Sequence, residues 1–172
     1  MRGKEYPLSP PSGRIPVSRV EIKTFCYPTE DRERVVSAIL ALLPEDIRDP
    51  SEIKGTKLRS VHKFSFEELR MEIRGPRARE VMAWIFSRLP EPDRIEILET
   101  LEKRIDGSRL YIRIDKQEAV DGSLRLHRGG IGGHIHVVAA FSRAVPIDLI
   151  SELLRGGECG EEVHRPEGKA RE

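Results

Sequence analysis

The chain predicts a two-layer α+β domain in which a mostly antiparallel sheet carries helices on one face. Apolar residues alternate with polar ones at Val20, Ile22, Thr24 and Cys26, and again at Leu110, Ile112 and Ile114, the period of half-buried strands. Between these runs, Val35, Val36, Ile39, Leu42 and Leu43, and later Ile95, Leu98, Leu101 and Ile105, recur at helical spacing. Such helices need a broad apolar surface to cover, and the alternating strands supply it.

In chain order, the strand at 20–26 leads into a helix that Thr29 or Asp31 can cap and Pro44 ends. The stretch from Ile47 to Lys57 is interrupted by Pro50 and Gly55 and fits neither period. Phe64, Phe66, Leu69, Met71 and Ile73 suggest a strand with an irregularity near Glu67 and Glu68, because the apolar positions change parity there. Gly75-Pro76 opens a second helix with Val81, Trp84, Ile85 and Leu89 on its apolar face; proline in a first turn removes no intrahelical bond. A third helix runs from about Glu91 to Ile105, acidic at its start and basic at its end, as the helix dipole favours. Three strands follow, around Leu110–Ile114, Leu124–Leu126 and Ile135–Ala139, and Ile147 to Leu154 closes the fold as a short helix.

The 172 residues fit one domain. Proline and glycine density marks 1–16 as a flexible lead, with Arg2, Lys4 and Arg14 as a loose basic arm, and glycine-rich, apolar-poor 155–172 as a tail, leaving 17–154 as the folded unit. Formal net charge is +1, so a polyanion site must come from uneven placement of charge. Two cysteines, Cys26 and Cys159, make no disulfide framework and suit a reducing compartment. No run reaches the ~18 apolar residues of a membrane span, and "MRGKEYPLSPPSG" lacks a signal-peptide core, so the expectation is a cytoplasmic protein with no membrane partner.

Chemistry concentrates in "RLYIRIDKQEAVDGSLRLHRGGIGGHIHVVAAF", Arg109 to Phe141. From Glu102 to Arg143 eight Lys and Arg stand against five Asp and Glu, a denser excess than in the chain as a whole. Alternation places Arg109, Tyr111, Arg113 and Asp115 on one strand face, two guanidiniums flanking a phenol. Guanidiniums bracket phosphates while tyrosine stacks a base or sugar, a combination suited to single-stranded or distorted RNA; the competing reading is a solvated face laced with ion pairs. Lys116, Arg125 and Arg128 add phosphate-contact candidates, Gln117 stands where it can meet a base edge or brace the turn, and Asp115 reads as an orienting group. Four glycines around Ile131 form a turn whose amides can approach phosphates, yet the run lacks the lysine and hydroxyl of a nucleotide-binding loop.

His127, His134 and His136 lack a completing Cys, Asp or Glu, so no metal or other cofactor is expected. Glu67 and Glu68 are adjacent and point apart in a strand, and Cys26 has no histidine base at a defined spacing, so no catalytic residue is nominated. Trp84, among apolar helix positions, is expected in the core.

"FCYPTED", Phe25 to Asp31, followed by "YIRIDKQEAVDGSLRL", Tyr111 to Leu126, resembles an archaeal RNA-binding protein family described as a predicted exosome subunit with a fold like ribosomal protein L5. The likeness spans roughly 17–142, with Asp115, Lys116 and Gln117 in its distinctive segment. It implies a ribosomal protein L5-like fold and a noncatalytic RNA-binding protein associated with exosome RNA processing or with ribosomal or transfer RNA. The departures are Arg128 and the glycine run, where relatives carry a more acidic turn, and the absence of a glycine-asparagine-proline segment near Gly55. The alternative is a protein-interaction adaptor in an RNA-processing assembly, with exosome proteins as partners; an uncapped sheet edge would permit a homodimer.

Overall fold

Residues 16–155 are described by a computed structural model. The terminal segments expected to be flexible, and with them the basic arm and Cys159, lie outside the described residues, save Pro16 and Arg155. Six strands, β1 (Val17–Cys26), β2 (Lys54–Arg59), β3 (Ser65–Arg74), β4 (Ile105–Asp106), β5 (Arg109–Asp115) and β6 (His134–Phe141), form one sheet in the order β2-β3-β1-β6-β5-β4, each paired antiparallel to its neighbours. The helices are α1 (Arg32–Ala41), α2 (Pro76–Arg88), α3 (Glu91–Glu99), α4 (Lys116–Val120) and α5 (Ile147–Arg155).

The core lies between the sheet and the helices. Val20 and Ile22 from β1, Leu69 and Met71 from β3, Ile112 and Ile114 from β5, and Ile135 and Val137 from β6 are buried against Ile39, Val81, Ile85 and Ile150. The alternate residues of the same strands are half-buried or exposed and form the open face. Asp31 caps α1, its carboxylate accepting the Glu33 N–H at 3.0 Å. Gly75, at φ +68, turns the chain into α2, a conformation that glycine adopts without a Cβ penalty.

The ribosomal protein L5-like fold expected from the sequence is not the one formed. Periodicity says which side of each element is buried, whereas the order of strands depends on pairings between distant segments that no local pattern encodes.

Four element-level expectations also change. The ambiguous segment resolves into two 3-10 turns, Glu45–Ile47 and Pro50–Glu52, and the edge strand β2. β3 keeps unbroken register against β1 from Arg74 to Glu67; its parity change reflects Phe66 standing on the open face while Leu69, Met71 and Ile73 face the core, and the irregularity lies instead in β1 between Val17 and Arg19. α3 ends at Glu99, followed by a 3-10 turn over Leu101–Arg104, and it buries Asp93, Arg94 and Ile97 while Ile95 is exposed. Leu124 to Leu126 forms a single bridge, Leu126 to Ile114, rather than a strand, and Lys116 begins α4 under an Asp115 cap.

Candidate nucleic-acid interface

Register across the open face sorts its side chains into rows. Arg113 stands beside His136, His136 beside Lys23, Lys23 beside Arg70, and Arg70 beside Lys54, so five basic positions cross five strands in one line. One flanking row holds Tyr111, Val138, Glu21 and Glu72, and the row beyond it holds Arg109, Ala140, Arg19 and Arg74. Carboxylates neutralise only part of this charge: Arg70 pairs with Glu21, and Glu72 takes Arg74 at 2.6 Å and Arg19 at 3.7 Å. Among the described residues no carboxylate pairs with Lys23, Lys54, Arg109 or Arg113.

The residues nominated from the sequence divide between this face and its support. Arg109 and Arg113 are exposed, and Tyr111 is half-buried with its ring stacked on His136, centroids 5.7 Å apart. Gln117 is exposed and lies against Gly132, where an added Cβ would collide with its Cγ. Lys116 is 2% exposed; its ammonium pairs with Glu30 at 2.7 Å and donates to the Phe25 carbonyl at 3.0 Å. Arg125 and Arg128 reach the fully buried Asp93 at 3.2 and 2.7 Å, Arg128 also meets Glu96, and the Leu126 N–H donates to Asp93 at 2.8 Å. A phosphate on these three cations would compete with carboxylates already in place. Together they fasten the segment between β5 and β6 to the end of β1, to the turn that follows it and to α3.

Burial alone would raise the Asp93 carboxyl, but hydrogen bonds from Arg128 and the Leu126 N–H, with the charges of Arg128 and Arg125, outweigh it and hold the group below the usual carboxylate range. The segment is tied at two more points. The His127 N–H donates to the Arg113 carbonyl at 3.0 Å, and the Lys116 N–H to the Gly133 carbonyl at 3.3 Å. Asp115 is the orienting group, capping α4 through the Glu118 N–H at 3.0 Å and meeting His127 Nδ1 at 3.3 Å.

Sequence reasoning missed the other half of the face. Phe25 and Phe66 meet edge to face with centroids 5.4 Å apart, Tyr27 lies 5.8 Å from Phe66, and Phe64 extends the cluster at 6.4 Å. Tyr27 and Phe64 remain 41% and 47% exposed, more than core packing would leave. The signal was present: each aromatic falls at the strand parity otherwise occupied by polar residues. A hollow of about 280 Å³ opens beside this cluster, lined by Lys23, Phe25, Tyr27, Arg113, His134 and His136. A smaller hollow of about 170 Å³ shares Lys23 and His136 and continues to Tyr111 and Arg109. Burial, and then Arg113 for His134 and Lys23 for His136, push both imidazoles below their ordinary range, so they are neutral near pH 7.

Elsewhere, Trp84 departs from the expected core position. It is half-buried, donates to the Ala41 carbonyl at 3.2 Å, and carries the Arg88 guanidinium 4.2 Å from its ring centroid. Cys26 is buried, and burial pushes its thiol up, away from a reactive thiolate.

A two-layer sheet with an open basic and aromatic face belongs to the class of nucleic-acid-binding domains, and comparison with known proteins narrows it. A family described as RNA binding matches residues 19–141, and the chain belongs to it. RNA-binding protein PAB1135 of Pyrococcus abyssi is 26% identical over 84% of this chain and 98% of its own length. UPF0201 protein MK0399 of Methanopyrus kandleri is 31% identical over 66% of this chain and 68% of its own length. Among solved structures, the DUF54 protein AF2318 of Archaeoglobus fulgidus superposes with a TM-score of 0.63 and 32% identity, covering 80% of this chain and 99% of that one.

These likenesses correct the family expected from the sequence. The fold is of the DUF54/UPF0201 type and the chain is an RNA-binding protein; neither the ribosomal protein L5-like nor the exosome-subunit assignment is supported. The short blocks that suggested them identify an RNA-binding family without fixing its architecture or its assemblies. The family is described as RNA binding, and among the described residues no group of His, Cys, Asp or Glu is arranged to hold a metal ion. No helix among them is long and apolar enough to cross a membrane.

Proposed function

We propose that the protein binds RNA through the open face of the sheet, noncatalytically, and that ribosomal or transfer RNA is the class of partner. The observation that carries this reading is the row Arg113, His136 and Lys23, whose two cations have no carboxylate partner among the described residues and stand beside exposed aromatic rings. Unpaired cations are available to phosphates without first breaking an ion pair, and the rings beyond that row on the same face accept bases that have left a helix. Arg109 and Arg113 contact phosphates, and Tyr111 and Gln117 meet sugars or bases. Lys116, Arg125 and Arg128 act mainly by holding the segment that presents them, with the half-exposed guanidiniums of Arg125 and Arg128 at the margin of the site.

The test is binding to a panel of structured and single-stranded RNAs across salt concentration, comparing wild type with Arg109→Ala/Arg113→Ala. Both side chains are exposed and unpaired, so the variant keeps the fold. Its log–log salt slope falls by about 0.7–0.9 for each phosphate that is no longer neutralised. Unchanged affinity and slope reject this face.

A second reading, a protein-interaction adaptor, is favoured by the edge strand β2, exposed along its whole length and continued by the exposed Val61. Capture of a partner protein or a second copy after nuclease treatment, by a protein that itself binds no RNA, selects it.

A further inference from the structure

We infer that the hollow between the aromatic cluster and the histidines is a receptor for one unpaired RNA nucleotide, its base against Tyr27 and Phe25 and its phosphate on Lys23 and Arg113. This rests on the open face being the RNA surface and adds where, and in what form, the RNA is read.

Size limits the occupant. About 280 Å³ lies just below the range of small-molecule pockets, roughly 300–1,000 Å³, and suits one base with its sugar. The walls fit such an occupant. Tyr27 and Phe25 are held by Phe66 in tilted and edge-on geometry, and this support keeps them from closing over the hollow. Opposite them, His134 and His136 are neutral, so each ring offers one donor and one acceptor, the complement of a base edge rather than of a second phosphate.

Two cations with no carboxylate partner among the described residues, Lys23 and Arg113, line the hollow. Lys23 and Arg113 flank His136 from the two neighbouring strands, about 10 Å apart across two strand spacings, close enough for their long side chains to converge on one phosphodiester. The floor is fixed, because Thr24 Oγ1 donates to the His134 carbonyl at 2.8 Å and ties β1 to the start of β6. The adjoining hollow, sharing Lys23 and His136, leads to Tyr111 and Arg109 and gives the next nucleotide a path along the sheet.

Bases in a duplex face each other and cannot enter such a recess; an unpaired base can. The site therefore discriminates by pairing state.

The experiment uses the full-length protein with an oligoribonucleotide of eight adenosines carrying one 2-aminopurine, alone and annealed to its complement. Wild type, Tyr27→Ala, and Arg109→Ala/Arg113→Ala are compared by titration and by quenching of 2-aminopurine fluorescence. The expected result is single-strand binding at least tenfold tighter than duplex, quenching on binding, and a loss of about tenfold in Tyr27→Ala, the scale of one base stacked on an aromatic ring. Tyr27 is exposed, and the wild-type quenching reads stacking without any substitution. Equal affinity for single strand and duplex without quenching overturns the receptor but leaves the RNA face intact. Weakening in Arg109→Ala/Arg113→Ala with Tyr27→Ala unchanged does the same. Failure of wild type to bind either RNA overturns the receptor, and failure to bind the structured RNAs of the panel as well overturns the RNA face.

Discussion

Two buried charges set the terms at the level of single residues. Lys116 is a conspicuous cation in the sequence, yet its ammonium is consumed by Glu30 and the Phe25 carbonyl. Replacing it with alanine leaves Glu30 without its partner and is expected to cost about 3 kcal/mol of stability, measured by denaturant unfolding. Asp93 is the counterpart among the acids. Because its folded pKa is depressed, its contribution is present above the unfolded value near 3.9 and is lost as pH falls through the folded value. Acid titration of wild type against Asp93→Asn should show a stability difference at pH 6 that shrinks below about pH 4. His134 and His136 bear on function instead of stability. They face Lys23, Arg113, Lys116, His127, Tyr111, Asp115 and Glu21, and the neighbouring cations, after burial, keep them neutral. The base edge uses one donor and one acceptor from each neutral ring, and protonation removes the acceptor, so quenching of bound 2-aminopurine should weaken as pH is lowered below 6 and lose that dependence in His134→Gln/His136→Gln. Arg109, Tyr111 and Arg113 were legible as a shared face because strand parity is local. The engagement of Lys116, Arg125 and Arg128 was not, because their partners lie 32 to 91 residues away.

At the scale of elements, the strands were easier to recognise than the faces they present. The parity change in β3 reads locally as a bulge, and only the neighbouring β1, with Phe25 paired to Glu68 and Tyr27 just past the Cys26–Glu67 pair, shows it to be an aromatic patch on an otherwise polar side. α3 misleads for a related reason: Ile95 and Leu98 suggest one inward face, but Asp93 turns inward to meet Arg125, Arg128 and the Leu126 N–H, and Ile95 turns out with the rotation. The glycine run, read from sequence as a phosphate-approaching turn, is a tethered connection. Gly133 sits at φ +75 with Lys116 Nζ 3.4 Å from the position of an added Cβ. Gly133→Ala should therefore destabilise the protein by about 1–2 kcal/mol, visible as a lowered Tm, and loosen β6 at the edge of the hollow.

For the whole molecule, the strand order decides what the sheet can do. β1, at the start of the described residues, lies between β3 and β6, and β6 is the last strand among them. The cationic row and the hollow both draw on β1 and β6, so neither half of the chain contains the interface. A fragment ending at residue 133 should bind RNA no better than an unrelated polycation and show no cooperative unfolding, whereas the full chain should bind more tightly and unfold cooperatively. During synthesis this order imposes a schedule. Lys23, Phe25 and Tyr27 leave the ribosome more than a hundred residues before His134 and His136, and β1 waits with one edge unpaired until β6 arrives. The nascent chain thus emerges surrounded by ribosomal RNA while it still lacks the proposed surface, and it gains that surface only when β6 has been released.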